Sequence, residues 1–148
     1  MTTFCLEPGK PYHCGKIIRR LRIDHNDAFM KLGLNAHKQL RACFDDSYFC
    51  RAWIIDGRLA GLGGVTGSLL SPVGYIWLAL SEEATHYPVK VMREARAQIS
   101  EIMQVKRSLI TTVLKNDEPS VRFATRLGFE QIDVAEDWGI VMLYGEAE

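Results

Sequence analysis

The chain has 148 residues, the length of one domain and short of two, so residues 1–148 are read as a single domain. Apolar residues make up 47 % and charged residues 24 %, a globular balance that excludes disordered and collagen-like chains. The 18 basic residues match the 18 acidic ones, so no net field draws the chain to nucleic acid or to an anionic membrane, and neither is expected as a partner.

The start, Met-Thr-Thr-Phe-Cys-Leu-Glu-Pro, has no basic stretch followed by a long apolar one, and no later run approaches the roughly 18 apolar residues of a membrane span. The expectation is a cytoplasmic protein with reduced thiols. Cys5, Cys14, Cys43 and Cys50 form no C-x-x-C pair, and with His13, His25 and His37 they match no zinc spacing. No metal is expected.

Thr3 to Leu6 is a possible opening strand. Ile17, Ile18 and Leu21 put apolar groups on one face of a helix over residues 12–22, with Lys16, Arg19, Arg20 and Arg22 on the other. A second helix is expected from Asn26 as N-cap, carrying Phe29, Leu32, Ala36, Leu40 and Cys43 at helical spacing. The period then changes. Residues 48–55 are aromatic and β-branched, and Asp56-Gly57 follows as a hairpin turn, because both turn positions want positive φ. Residues 58–66 return as a glycine-rich strand, and residues 73–80 add a third.

A long helix is expected over residues 88–104, with Pro88 in its first turn and Met92, Ala95, Ile99 and Ile102 as its core stripe. Residues 108–114 read as a buried strand. Asp117 caps a shorter helix that has Pro119 in its first turn and Gly128 as a left-handed stop. Two strands near residues 129–134 and 138–144 close the chain. The order implies an α/β (α+β) sandwich around a mixed, mostly antiparallel sheet of about six or seven strands, flanked by about four helices.

Gly61-Leu62-Gly63-Gly64-Val65-Thr66-Gly67 invites comparison with a dinucleotide fingerprint. That loop must end a strand and open a helix, whereas these glycines lie inside a hairpin strand. They fit a bulge, or a place where another backbone or a ligand comes close. The informative segment is Asn116 to Glu130: a strand end, a capped short helix, a tight glycine stop, then a strand. Its helix N-terminus offers free N–H groups to an anionic or amide-rich ligand, and it equally suits an ordinary β-α-β connection.

This run, a polar Asn turn leading through a helix to Leu127-Gly128-Phe129-Glu130, resembles the C-terminal signature of the GNAT superfamily of N-acetyltransferases. The element order is similar to that fold over nearly the whole chain. The resemblance implies acetyl-CoA as cosubstrate, bound in a V-shaped gap between the fourth and fifth strands, and acetyl transfer to a primary amine of a small molecule or protein. The cofactor's amide arm would pair with the backbone of Leu78, Ala79 and Leu80. Asn116, Asp117 and Ser120 would line that arm, with Phe123 packed beside it.

The family's pyrophosphate loop, usually Q/R-x-x-G-x-G/A before the long helix, corresponds here to Ser81 to Lys90, which contains no glycine. Glu82 and Glu83 would repel a pyrophosphate there, so Val89 and the cation Lys90, or His86, stand in at the helix start. The tyrosine that many members use to protonate the leaving thiolate corresponds to Ala124. Glu82 or Glu83 remains the nearest carboxylate for a catalytic base. Arg122 can reach an adenosine phosphate or stay a solvated helix residue.

The same departures, with Pro88-Val89-Lys90-Val91-Met92-Arg93, are similar to a phage and prophage subgroup of GNAT-like proteins. They imply the alternative of a catalytically degenerate protein with a structural or interaction role. A homodimer through the closing strands is implied by analogy.

Overall fold

A computed structural model describes residues 3–22, 30, 35–135 and 138–145. In chain order the described elements are β1 (Phe4–Pro8), α1 (Pro11–Arg19), α2 (Ala36–Asp46), β2 (Ser47–Ile55), β3 (Arg58–Thr66) and β4 (Val73–Leu80). A 3-10 turn (Glu82–His86) leads into α3 (Pro88–Ile102), β5 (Ser108–Leu114), α4 (Glu118–Leu127), β6 (Glu130–Ala135) and β7 (Gly139–Gly145). The strands form one seven-stranded sheet in the order β1-β2-β3-β4-β5-β7-β6. Every neighbouring pair is antiparallel except β4 and β5, whose parallel pairing uses α3 as its crossover. The expected α/β architecture is the one observed.

Alternation along β2 sorts the helices onto the two faces. Ala52 packs with Cys14, Ile17 and Leu21 of the α1 segment and Leu40 of α2, whereas the next residue, Trp53, packs with Val91 and Ala95 of α3. Further along the α3 face, Ile99 meets Leu109 and Val113 of β5 and Ala124 of α4. Ile17 is 0 % exposed, and burying a side chain of its kind contributes about 1.5–3 kcal/mol.

The hairpin turn follows its sequence: Asp56 and Gly57 have φ of 49° and 79°, both left-handed. α4 likewise begins at its Asp117 cap, whose side chain accepts from the Ser120 N–H, and stops at Gly128 with φ 109°.

Two boundaries differ from expectation. α1 ends at Arg19, because the next residues leave the helix to pair with the end of β4: the Glu82 N–H donates to the Arg20 carbonyl at 2.8 Å and the Arg22 N–H to the Leu80 carbonyl at 3.0 Å. α2 has Asn35 as its cap, accepting from the Lys38 N–H at 3.0 Å. Asn26, Phe29 and Leu32 lie outside the described residues.

Candidate functional site

β4 and β5 pair over only three residues each, Val73, Gly74 and Tyr75 against Ser108, Leu109 and Ile110. Beyond them β4 stays with β3 as far as Leu80, and β5 stays with β7 as far as Leu114. The sheet therefore opens as a V toward the C-terminal ends of both strands. Lys106 pins the closed end. Its buried ammonium donates to the carbonyls of Ser68, Leu69 and Ser71 in the connection before β4, using all three of its N–H groups.

A cavity of about 410 Å³ fills the V. Leu78, Ala79 and Leu80 line it from β4, residues 110–114 from β5, and Asp117, Ser120 and Phe123 from α4. Along Ile76 to Ala79, β4 has no strand on the gap side among the described residues, so its gap-facing backbone N–H and C=O groups are presented to an extended, amide-bearing ligand, whereas the Leu80 carbonyl already accepts from the Arg22 N–H. Cys43 also lines the cavity, and burial pushes its thiol up from 9.0, away from nucleophilic thiolate.

Arg22 spans the mouth of the gap. Its backbone is fixed to β4 through Leu80, and its Nη2 donates to Asp117 Oδ1 at 3.3 Å and Ser120 Oγ at 2.5 Å on the opposite lip. The Ser120 hydroxyl in turn donates to Asp117 Oδ2 at 2.6 Å. The carboxylate at the centre of this network is 1 % exposed and the arginine side chain 13 %.

A second cavity, about 690 Å³, lies between α3 and α4 beside the start of α3. Arg93 and Arg96 of α3, Arg122 and Arg126 of α4, and Arg22 line it, and no carboxylate is among its described lining residues. Arg96 Nη2 also donates to the Arg126 carbonyl at 3.2 Å, at the end of α4. Five guanidinium groups surround one concavity; Arg22 is paired with Asp117 and Arg122 with Glu118 at 3.7 Å, and the cluster leaves a positive site for a polyanion. Arg22, Leu80 and Phe123 line both cavities, which therefore adjoin.

The structure thus brings Leu78, Ala79, Leu80, Asp117, Ser120 and Phe123 together around the gap, and places Val89 in the second cavity. Lys90, Asn116, Glu82 and Glu83 line neither cavity. The Glu83 carboxylate accepts from Arg20 Nη2 and Arg58 Nη1, both at 3.1 Å, and so ties the 3-10 turn to two neighbouring segments. Ala124 sits on the gap wall, where a methyl group has no acidic proton to donate. The positive cavity had a readable signal: Arg93 and Arg96 are spaced i,i+3, and Arg122 and Arg126 i,i+4, so each pair shares a helix face.

Among the described residues no helix is long and apolar enough to cross a membrane. The chain matches no family model and no curated protein sequence. Its fold matches many solved structures. PH1933 from Pyrococcus horikoshii OT3 aligns with a TM-score of 0.73 at 10 % identity, over 99 % of this chain and 100 % of that one. The GNAT domain of S. lividans PAT aligns at 0.69 and 11 % identity, over 94 % and 88 %. PaiA N-acetyltransferase from Thermoplasma acidophilum, in complex with coenzyme A, aligns at 0.64 and 12 % identity, over 97 % and 99 %. The fold is that of the GNAT acetyltransferases.

Proposed function

We propose that this chain, on its GNAT fold, is an acyl-CoA-dependent N-acetyltransferase that moves an acetyl group from acetyl-CoA to a primary amine of a small molecule or protein. One observation carries the reading: a gap edged by unpaired β4 backbone adjoins an arginine-lined cavity at the start of α3. Coenzyme A has the matching polarity, an amide-containing arm joined to a diphosphate and a phosphorylated adenosine. The arginines supply the charge that the missing glycine loop would otherwise supply through backbone N–H groups.

The acyl-CoA arm would lie along Leu78, Ala79 and Leu80 with Asp117, Ser120 and Phe123 opposite, and its diphosphate end would meet Val89 and the arginines, with Lys90 adding charge only from outside the cavity. Asn116 shapes the turn before α4 rather than touching the arm; its φ of 75° is a conformation that asparagine tolerates better than most residues. A neutral amine bound beside the thioester attacks its carbonyl carbon. An unpaired β4 N–H stabilises the oxyanion, and collapse of the intermediate expels the CoA thiolate. The thiolate takes a proton from the nascent ammonium through water, since Ala124 offers none. Holding both reactants in the V supplies the main rate advantage. Glu82 or Glu83 acts as base in this scheme only through intervening water.

A second reading, a GNAT-like phage or prophage protein that kept the fold and lost the reaction, is favoured by the methyl at Ala124 and by the engagement of Glu83 with two arginines. A cytoplasmic location and a homodimer through β6 and β7 belong to the first reading; such a contact would cover Ile132 and Val134, apolar and exposed on the outer strand.

Titration calorimetry with acetyl-CoA, with adenosine as control, followed by a thiol-release assay over a panel of primary amines, separates the readings. Micromolar binding with thiol release supports the enzyme. Binding with no release on any amine favours the degenerate protein. No heat at millimolar acetyl-CoA rules out the acyl-CoA reading.

A further inference from the structure

We propose that Arg22 is the residue that reads the diphosphate of the ligand, held in place for that task by Asp117 and Ser120; the inference rests on the acyl-CoA reading above. Arg22 lies where the two cavities meet. In a ligand whose amide arm fills one cavity and whose adenosine fills the other, the diphosphate is the group at that junction.

The arginine is fixed at both ends before any ligand arrives. Its backbone pairs with Leu80, the preceding Leu21 bridges to Ser81, and Nη2 is taken by Asp117 and Ser120. One buried donor is left unsatisfied. Nε is buried and has no hydrogen-bond partner among the described residues. A buried N–H without an acceptor is uncommon in a folded protein and destabilises it, and a clasp built only to join the two lips of the gap has no reason to leave one. A phosphate oxygen is a strong acceptor that the planar, permanently charged guanidinium suits.

Asp117 fits the same role. A bare carboxylate beside a diphosphate would repel it, but this one is enclosed by Arg22 and the Ser120 hydroxyl, and it orients the cation. Arg22 is thus a binding residue toward the diphosphate, and Asp117 and Ser120 are positioning residues acting through it.

The test measures, by calorimetry, the binding of acetyl-CoA and of S-acetylpantetheine, which has the arm and thioester but no phosphate. The proteins are the wild type, Arg22→Ala and Arg22→Lys. In the Ala variant acetyl-CoA affinity is expected to fall about tenfold or more, while S-acetylpantetheine affinity stays within about twofold. Arg22→Lys keeps the charge beside Asp117 but has no Nε–H or planar fork, and is expected to lose at least about fivefold for acetyl-CoA alone.

Unchanged acetyl-CoA affinity in a folded variant overturns the proposal, as does an equal loss for both ligands, which would mark a structural clasp. Tighter acetyl-CoA binding overturns it too, because Arg22 would then obstruct the site. If the Ala variant does not fold, the Lys variant decides. A wild type that binds neither ligand overturns the acyl-CoA reading itself and this inference with it. A wild type that binds both ligands equally overturns only this inference.

Discussion

A methyl group at Gly64 would lie 2.5 Å from the Phe49 carbonyl oxygen, 2.9 Å from Ser47 Oγ and 3.0 Å from Trp77 Nε1. The strand needs glycine there because β2 closes onto it beside an irregular step in the β2–β3 register, between Ser47 and Phe49. The crowded atoms also do a job: Trp77 Nε1 donates to Ser47 Oγ, and that hydroxyl donates to the Cys43 carbonyl, both at 2.7 Å, joining β4 to the end of α2. Gly64→Ala is expected to destabilise the fold by about 1–3 kcal/mol, seen as a lower urea midpoint at unchanged slope. Wild-type stability in that variant would show that β2 can shift away at no cost. His13 gives the chain a pH dependence of known sign. Burial is the largest influence and holds its pKa below the ordinary 6.5; Glu7 on β1 pulls it up, while Lys16 and Lys10 push it down. Its Nδ1 accepts from the Lys10 N–H at 2.9 Å, which requires that nitrogen to be unprotonated. Below 6.5 the unfolded chain binds a proton that the folded chain resists. Stability is therefore full above that pH and lost as pH falls through and below it. Urea midpoints measured at about pH 7.5 and about pH 5.5 should differ more in the wild type than in His13→Gln. Equal differences would assign the slope to other groups.

The helices α3 and α4 carry the charge of the second cavity, so its role is tested on them. Arg93→Glu or Arg122→Glu, each on a face lining the cavity, is expected to lower acetyl-CoA affinity more than about tenfold and to flatten its salt dependence. Circular dichroism should be unchanged. A variant with wild-type affinity would move the phosphates elsewhere. These helices also show where sequence reading succeeds. Asp117, Pro119 and Gly128 mark both ends of α4 because caps, a first-turn proline and a left-handed stop act within a few residues of chain. The Asp56-Gly57 turn is legible for the same reason. α1 shows the limit. Leu21 is buried whether or not the helix continues to it, so the apolar spacing of Ile17, Ile18 and Leu21 cannot reveal that the backbone leaves the helix at Arg19 and pairs with β4. Arg22 then reads as one more base on a solvated face, when its partners Asp117 and Ser120 are 95 and 98 residues away. The gap residues Leu78 to Leu80, Asp117, Ser120 and Phe123 were reached through a family resemblance in the run after Asn116. The arginines of the second cavity needed two helix faces to be set side by side, which only the fold does.

At the scale of the whole molecule, the sheet is two halves joined along a short seam. β1 to β4 are held by α1 and α2 on one face, β5 to β7 by α4 on the other, and three residues of β4 pair with three of β5. The apolar wall of the gap is kept open by the divergence of strands that each have a partner on the far side only. That arrangement predicts where hydrogen exchange is fast. Gap-facing amides within residues 76–80 should exchange faster than those of the fully paired β3, because nothing on the β5 side accepts from them. Acetyl-CoA and S-acetylpantetheine should both slow exchange in the peptide that contains Ile76 to Leu80, since the amide arm common to both takes the place of the missing strand. Adenosine 3′,5′-bisphosphate should leave that peptide unchanged and instead protect segments of α3 and α4 around Arg93 and Arg122. Protection by acetyl-CoA confined to the helices, with β4 exchanging as before, would mean that the phosphates bind while the gap stays empty. The V would then be a feature of the fold, with no part in holding the acyl arm.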